Sequence, residues 1–365
     1  MLRNEYNQYC QWAASKLPNM EYRTQVLNID YDEVASCYII QARSTTRGSP
    51  KRYRAKKVIL GTGTVPYVPA CCENIAGDAI HSSNYLFHKS ALQRKKSLTV
   101  VGSGQSAAEI VLDLLRDIHH YAYELSWITR SPRYFPLEYT KLTLEMTSPE
   151  YVDYFYALPA EKRATLNLDH VHLAKGINSD TINEIFDLLY AKRVSKAFKI
   201  HFLTNSSLEE VTYHPQKKHY DMLFLQKEVG KHYTHQSEGL ILSTGYEHQA
   251  PDYLKGIHSR IRWNALGQYD THRYYTIDHE NRDIFVQNAE YHTHGFVTPD
   301  LGMCCYRNSH IIRQLLGYVH YPIEARIAFQ EFGVPTQSGM NSPDTWFDSS
   351  PQWLPTPHQN AAIER

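Results

Sequence analysis

The chain has 365 residues, with 38 Lys plus Arg against 38 Asp plus Glu, for a formal net charge of zero. That length allows two or three domains around a large core, and the even balance offers no basic face to nucleic acid. No apolar run reaches the roughly eighteen residues of a membrane span, and the opening M-L-R-N-E-Y-N-Q lacks a signal-peptide core, so a cytoplasmic location without a membrane partner is expected.

Six cysteines, including the adjacent pairs Cys71–Cys72 and Cys304–Cys305, match neither a disulfide framework nor a C-x-x-C site, and are expected to be reduced and mostly buried. Twenty histidines raise the question of a metal, with His119–His120, His170 with His172, and His292 with His294 as candidates. None has the H-E-x-x-H spacing, so surface histidines and no metal site are expected.

In chain order, Asn4 to Lys16 has helical spacing, closed by Pro18. Tyr22 to Asp30, Ser36 to Arg43 and Arg52 to Leu60 read as strands of an antiparallel meander whose last member runs into G-T-G-T-V-P-Y-V-P, Gly61 to Pro69. Glycines directly after a buried strand allow close backbone approach to a phosphate or a ring, which singles out Gly61 and Gly63, although a plain turn explains them equally well.

The central unit is S-L-T-V-V-G-S-G-Q-S-A-A-E, from Ser97. Leu98 to Val101 is an apolar strand; from Gln105 the period becomes helical, with Ala107, Ala108, Val111, Leu114 and Leu115 on one stripe. Strand, glycine turn and helix form a dinucleotide-binding arrangement. Gly102 permits the tight turn, Gly104 lets a pyrophosphate approach, and Gln105 and Ser106 open a helix whose N-terminus offers free N–H groups. A second strand, Leu125 to Thr129, ends in Arg130 and Ser131, where an NAD site would carry an acidic residue. A guanidinium pairs bidentately with a 2′-phosphate, so NADPH is the expected dinucleotide.

A tyrosine-rich helical insert follows, with Ser148 as N-cap and Pro149 at the first position of one helix, a second from Pro159 to about Ala174, and a third from Thr181 to Arg193 whose apolar face is Ile182, Ile185, Phe186, Leu189 and Tyr190. Strands are expected at Lys199 to Leu203, Leu208 to His214, Tyr220 to Gln226 and Gly239 to Leu242, and a helix at Cys304 to Leu316. Beyond Gly333 the chain is Pro-rich and polar and is expected to form no packed element, with Trp346, Phe347 and Trp353 as local docking groups.

The strings G-T-G-T-V-P-Y-V-P, I-H-S-S-N-Y, V-V-G-S-G-Q-S-A-A-E, L-S-T-G-Y-E-H-Q-A-P and T-H-G-F-V-T-P-D-L, in this order, resemble the microbial N-hydroxylating flavin monooxygenases of hydroxamate siderophore biosynthesis. The resemblance implies an α/β fold of two Rossmann-like dinucleotide-binding domains with a helical substrate insert. It implies FAD at residues 1–90 and 237–333, NADPH at 91–236 with the substrate cap near 140–195, and a Pro-rich tail over 334–365. Family members begin with a βαβ unit whose G-x-G-P-x-N loop holds FAD; the chain starts beyond it, so the first FAD unit is expected to be missing.

The resemblance further implies that NADPH reduces FAD, that a flavin C4a-hydroperoxide transfers oxygen to a neutral amine, and that no side-chain nucleophile takes part. Flavin contacts carry over to Thr244, Gly245, Tyr246, His294, Gly295, Pro299 and Leu301. In place of the asparagines of ornithine-specific relatives the chain has Thr143-Leu144-Glu145-Met146 and Asn178-Ser179-Asp180-Thr181. An α-carboxylate beside Leu144 would be desolvated without a partner at about 2 kcal/mol or more. A diamine (putrescine or cadaverine) or lysine is therefore the expected substrate, with Glu145, Asn178, Ser179 and Asp180 at the amine; helix capping by Asp180 and solvation of Glu145 are the simpler alternatives. O2 is the co-substrate and a homotetramer the candidate assembly. A flavin-free remnant that binds NADPH alone remains a second reading, ranked above a thiol reductase, which needs a C-x-x-C.

Overall fold

The computed structural model describes residues 3–334, in two compact units formed by residues up to 62 with 250–287, and by 63–249 with residues from 288 onward. These divisions differ from the expected 90/91 and 236/237, because the strand after Ser237 pairs with Leu98 to Val101. Trp346, Phe347 and Trp353 lie outside the described residues.

The first unit opens with helix α1 (Arg3–Ser15) and an antiparallel meander of β1 (Thr24–Asp32), β2 (Cys37–Ser44) and β3 (Pro50–Ala55). The single strand expected over Arg52 to Leu60 is two, broken at Lys56-Lys57, so that β4 (Val58–Leu60) pairs in parallel with Ile284–Val286 instead of continuing the meander. Lys57 ties down the break by donating to the Arg282 carbonyl and pairing with Asp283 at 3.5 Å. A 3-10 segment, Asp252–Arg260, lies on β1 and brings Gly256 so near that a Cβ there would sit 2.2 Å from Asp30 Oδ1 and 2.5 Å from the Ile29 carbonyl oxygen. The Arg260 guanidinium covers the Tyr31 ring at 3.6 Å.

In the second unit β5 (Val65–Pro66) precedes β6 (Ile80–His81), α2 (Tyr85–Leu92), β7 (Ser97–Val101), α3 (Gln105–Tyr121) and β8 (Glu124–Ile128). The insert follows as α4 (Lys141–Leu144), α5 (Pro149–Ala157), α6 (Ala160–Asp169), α7 (Val171–Lys175) and α8 (Ser179–Ser195). Then come β9 (Ile200–Leu203), β10 (Ser206–His214), β11 (His219–Gln226), β12 (Lys231–Ser237), β13 (Gly239–Leu242) and β14 (Tyr246–Glu247). Five of these strands form a parallel sheet in the order β6-β13-β7-β8-β9, the core expected of a Rossmann-like dinucleotide-binding domain.

Parallel strands are buried on both faces, which is why β13 is wholly apolar and β7 buries Leu98, Val100 and Val101. One face is covered by Ala107, Ala108, Val111, Leu114, Leu115 and Ile118 of α3, the stripe legible in the sequence plus one further turn. The other is covered by the β10-β11-β12 sheet, which sets Tyr220, Met222 and Phe224 against Val101, Ile128, Leu240 and Leu242. Strand β12, K-H-Y-T-H-Q-S, has no apolar alternation and was not expected; pairing with β11 makes it a strand.

The insert differs from expectation in two respects. The helix over Pro159 to Ala174 is broken at His170, and α8 turns Ile182, Ile185 and Leu189 with Leu188 onto the α3 side while Phe186 and Tyr190 are exposed. Ser148 caps α5 as expected, accepting from the Tyr151 N–H at 3.3 Å, with Pro149 next. Of the six cysteines, all free, only Cys37 and Cys72 are buried, against the expectation that most would be.

Gly256→Ala is expected to destabilise the first unit by about 1–3 kcal/mol, because the new methyl meets backbone and carboxylate oxygen rather than a flexible side chain. Limited proteolysis and thermal denaturation should show earlier opening of residues 250–287; an unchanged midpoint would refute the close packing.

Candidate cofactor and substrate site

The glycine turn after β7 is set by backbone packing. Gly102 has φ +138°, and a Cβ there would lie 2.1 Å from the Ser243 carbonyl oxygen, where β13 ends. Its N–H donates to the Ile128 carbonyl at 2.9 Å, its own carbonyl accepts from Trp127 Nε1 at 2.6 Å, and Ser243 N–H donates to Val101 at 2.8 Å. Three strand ends are thus locked where the dinucleotide is expected.

Gly104 is the N-cap of α3, and open space surrounds it: the nearest atom to a Cβ placed there would be the Lys175 carbonyl oxygen at 4.0 Å. No side chain caps this helix and its first turn holds no carboxylate, so the backbone N–H groups at Gln105 and Ser106 are available to an anion. Arg130 is exposed past the end of β8 and makes no ion pair among the described residues. Beside it, Ser131 is held by N–H donation to Thr129 Oγ1 at 3.1 Å and hydroxyl donation to the Arg133 carbonyl at 2.8 Å. The donor set fits a phosphorylated dinucleotide.

The insert is fastened to this turn. Gln105 Oε1 accepts from the Asn178 N–H at 2.8 Å, while its amide donates to Glu109 at 3.0 Å and to Thr181 Oγ1 at 3.4 Å. Asn178 caps α8, its Oδ1 accepting from the Asp180 and Thr181 N–H groups at 2.9 and 3.3 Å, so the cap is Asn178 rather than Asp180. Ser179 and Asp180 are exposed in the first turn. Glu145 is not merely solvated: its oxygens accept from the N–H groups of Phe329 and Gln330 at 3.1 and 2.9 Å. Against desolvation, which raises it, these backbone bonds hold the carboxyl below its usual range.

The second glycine string forms a cradle within the same unit. β14 pairs with β5, the Gly245 carbonyl accepts from Tyr67 N–H at 3.0 Å, and Thr244 Oγ1 donates to the Tyr67 carbonyl. Gly245 has φ +91° and a Cβ there would meet nothing within 4 Å; Gly63 is likewise open. His81, a residue of the I-H-S-S-N-Y string not singled out from sequence, sits 3.0 Å from the Gly245 carbonyl through Nε2, and its Nδ1 accepts from Ser83 N–H at 3.2 Å. Its ring meets Tyr246 edge-on at 5.1 Å, and burial holds it below the usual imidazole range. Among the described residues the buried Ser82 and Ser243 hydroxyls have no partner, as in a polar ligand's cradle. Gly61 belongs to the other unit, where a methyl would approach Gln287 Oε1 at 3.3 Å.

The H-G pair lies over the insert. His294 is buried, with Nδ1 2.9 Å from Thr293 Oγ1 and its ring 5.3 Å from Tyr156; a Cβ at Gly295 would meet the Phe155 ring at 3.2 Å. Phe296 and Val297 join Tyr151, Val152 and Phe155 in one aromatic cluster, while Pro299 and Leu301 are exposed. Under the cluster is an ion pair that sequence reasoning missed. Arg307, on α10 (Met303–Leu316), donates to Glu290 at 2.9 Å and to the Thr298 carbonyl at 3.0 Å, both side chains being buried, just after Val286 and just before α9 (Tyr291–His294). Burial pushes the Glu290 carboxyl up against the pull of Arg307. An arginine in the buried stripe of a helix was the only sequence signal.

Residues 1–248 match the family model described as L-lysine 6-monooxygenase/L-ornithine 5-monooxygenase. Over 333 residues the chain is 46% identical to an alcaligin biosynthesis enzyme of Bordetella pertussis, covering 91% of this chain and 72% of that protein. It is 46% identical over 330 residues to a putrescine N-hydroxylase of Shewanella oneidensis, covering 90% and 66%. The FAD-bound crystal structure of a cadaverine monooxygenase of desferrioxamine biosynthesis from Erwinia amylovora matches with TM-score 0.89 at 47% identity, over 92% of this chain and 78% of that one.

Gly102→Ala should cost about 3 kcal/mol through clash and backbone strain, whereas Gly104→Ala should fold within about 0.5 kcal/mol of wild type yet weaken NADPH binding tenfold or more; calorimetry and fluorescence titration separate the two. Glu290→Gln, which leaves a buried guanidinium uncompensated, should lose about 3–5 kcal/mol in denaturant unfolding.

Proposed function

The chain belongs to the L-lysine 6-monooxygenase/L-ornithine 5-monooxygenase family, and from that premise we propose that it hydroxylates the terminal primary amine of a diamine, putrescine or cadaverine, or of lysine, for hydroxamate siderophores. The observation that carries this reading is identity of 46% and 47%, over 90% and 92% of the chain, to proteins named for putrescine and cadaverine. NADPH supplies the hydride and bound FAD the means of activating O2, so the demanding chemistry belongs to the cofactors.

What the chain's own residues do is bind, orient and exclude water. Gly102 sets the turn, Gly104, Gln105 and Ser106 present backbone N–H groups to the NADPH pyrophosphate, and Arg130 with Ser131 takes the 2′-phosphate. Gly63, Thr244, Gly245 and Tyr246 offer backbone and ring to the flavin, with His294, Gly295, Pro299 and Leu301 beside it; Gly61 carries the same assignment by resemblance alone. The aromatic cluster around Tyr151, Phe155 and Phe296 supplies apolar surroundings, which favour the neutral amine that must accept oxygen. For a diamine's distal ammonium, Glu145 is already committed to the backbone at 329–330, whereas the exposed Asp180 carboxylate accepts no hydrogen bond among the described residues. Asp180 is therefore the better counter-charge.

We read the enzyme as a cytoplasmic homotetramer; no helix among the described residues is long and apolar enough to cross a membrane.

The test is an absorption spectrum after incubation with FAD and gel filtration, then NADPH oxidation and hydroxylamine formation with each amine. Retained flavin and faster hydroxylamine formation from putrescine or cadaverine than from ornithine are expected. A colourless protein, or oxidation without hydroxylamine for every amine, refutes the reading. Arg130→Asp should cut the preference for NADPH over NADH by about 10–100-fold, the worth of a charge-assisted contact.

A further inference from the structure

The β10–β11 hairpin carries a side-chain cluster that takes no part in the flavin or dinucleotide assignments. His214 and His219 are cross-strand partners at its end, and Asp221 stands two residues beyond His219 on β11. In a pleated strand residues two apart share a face, and cross-strand partners do too, so all three side chains project from the same side. The opposite side carries Tyr220 and Met222 into the core, so the trio lies on the sheet's outer face.

His214 Nε2 is 2.9 Å from Asp221 Oδ2 and His219 Nε2 is 3.0 Å from Asp221 Oδ1, and the three ligand groups lie within 4.8 Å of one another. Two other histidines in this unit, His201 with Glu124 and His232 with Glu209, make ordinary hydrogen bonds to one carboxylate each, at 3.0 and 2.9 Å. The trio differs. Asp221 Oδ1 is shut off from solvent yet receives no well-directed hydrogen bond among the described residues, even with a ring nitrogen 3.0 Å away. Two imidazole nitrogens and a carboxylate brought this close on one face are an arrangement that a cation can bridge.

The geometry points to a binding site for a divalent first-row transition ion, held by the two imidazoles and the carboxylate. Bonds of about 2.0–2.1 Å in tetrahedral array put neighbouring ligand atoms about 3.3 Å apart, close to the spacings already present. Nitrogen and carboxylate donors select zinc-like ions over magnesium or calcium, and three protein ligands leave a position for water. The site is built to stay in place. Asp221 is paired on both sides, with Thr212 and Gln236, and the turn is closed by Pro215 and by Lys218 N–H donating to the His214 carbonyl at 2.8 Å. The turn lysines Lys217 and Lys218 are exposed, where salt screens their repulsion of a cation.

The test uses the full chain stripped with EDTA, titrated with Zn2+ against a chromophoric chelator and, separately, with Co2+ in the visible region. Wild type should bind one equivalent more than His214→Gln, His219→Gln or Asp221→Asn, or bind that equivalent at least tenfold more tightly, and His232→Gln should match wild type. The substituted side chains lie on the outer face, and circular dichroism with a thermal midpoint verifies each fold. Equal stoichiometry and affinity in wild type and the three variants overturns the site, as does a wild type that takes up no Zn2+ at micromolar concentration.

Discussion

The close approach of Gly102 to the Ser243 carbonyl is the constraint on which the rest of the second unit depends. A Cβ at position 102 would come within 2.1 Å of that oxygen, so no side chain can stand there, and the ends of β7, β8 and β13 meet at this point through the bonds of Gly102, Val101 and Ser243. The backbone is therefore turned before any ligand arrives. α3 starts three residues later with no side-chain cap among the described residues, and burial of Ala107, Ala108 and Val111 keeps that helix from shifting. A fixed donor array loses little freedom on binding, which is what a phosphate site requires.

From this point two clamps spread outward. Gln105, next after the glycine turn, accepts from the Asn178 backbone, so the start of α8 is positioned by the same residue that opens α3. The Glu290–Arg307 pair does the corresponding work under the H-G segment. Buried ion pairs give little net stability but strongly penalise loss of one partner, so this one acts mainly to keep α9 and α10 in a single arrangement. His294 and Gly295 consequently meet Tyr156 and Phe155 of the insert at fixed distance.

How much of this was legible follows from which interactions are local. The β7–α3 unit could be read from residues because apolar run, glycines and helical stripe are contiguous, and Ser148-Pro149 because a cap needs only its own next turn. The break at Lys56-Lys57 could not, since it depends on pairing with Ile284–Val286, more than two hundred residues on. Strand β12 escaped because its alternation is among polar residues, and Cys10 and Cys305 were misjudged because composition says nothing about which side of a helix faces water. Glu290 and Arg307 are seventeen residues apart, and only the turn through Thr298 brings them together.

The capping bonds also bear on specificity. A ligand with an α-amino and α-carboxyl group needs both signs of polar partner, and two of the candidates in the insert are already engaged: the Asn178 side-chain oxygen in capping α8, and Glu145 in holding 329–330. Glu150 is engaged likewise, by the N–H groups of Ile327 and Ala328. Freeing any of these for a zwitterion would leave backbone N–H groups without partners, at about 1–3 kcal/mol each where they are shielded from water. A diamine makes no such demand. It needs one carboxylate at its far end, and Asp180 is exposed and accepts no hydrogen bond among the described residues.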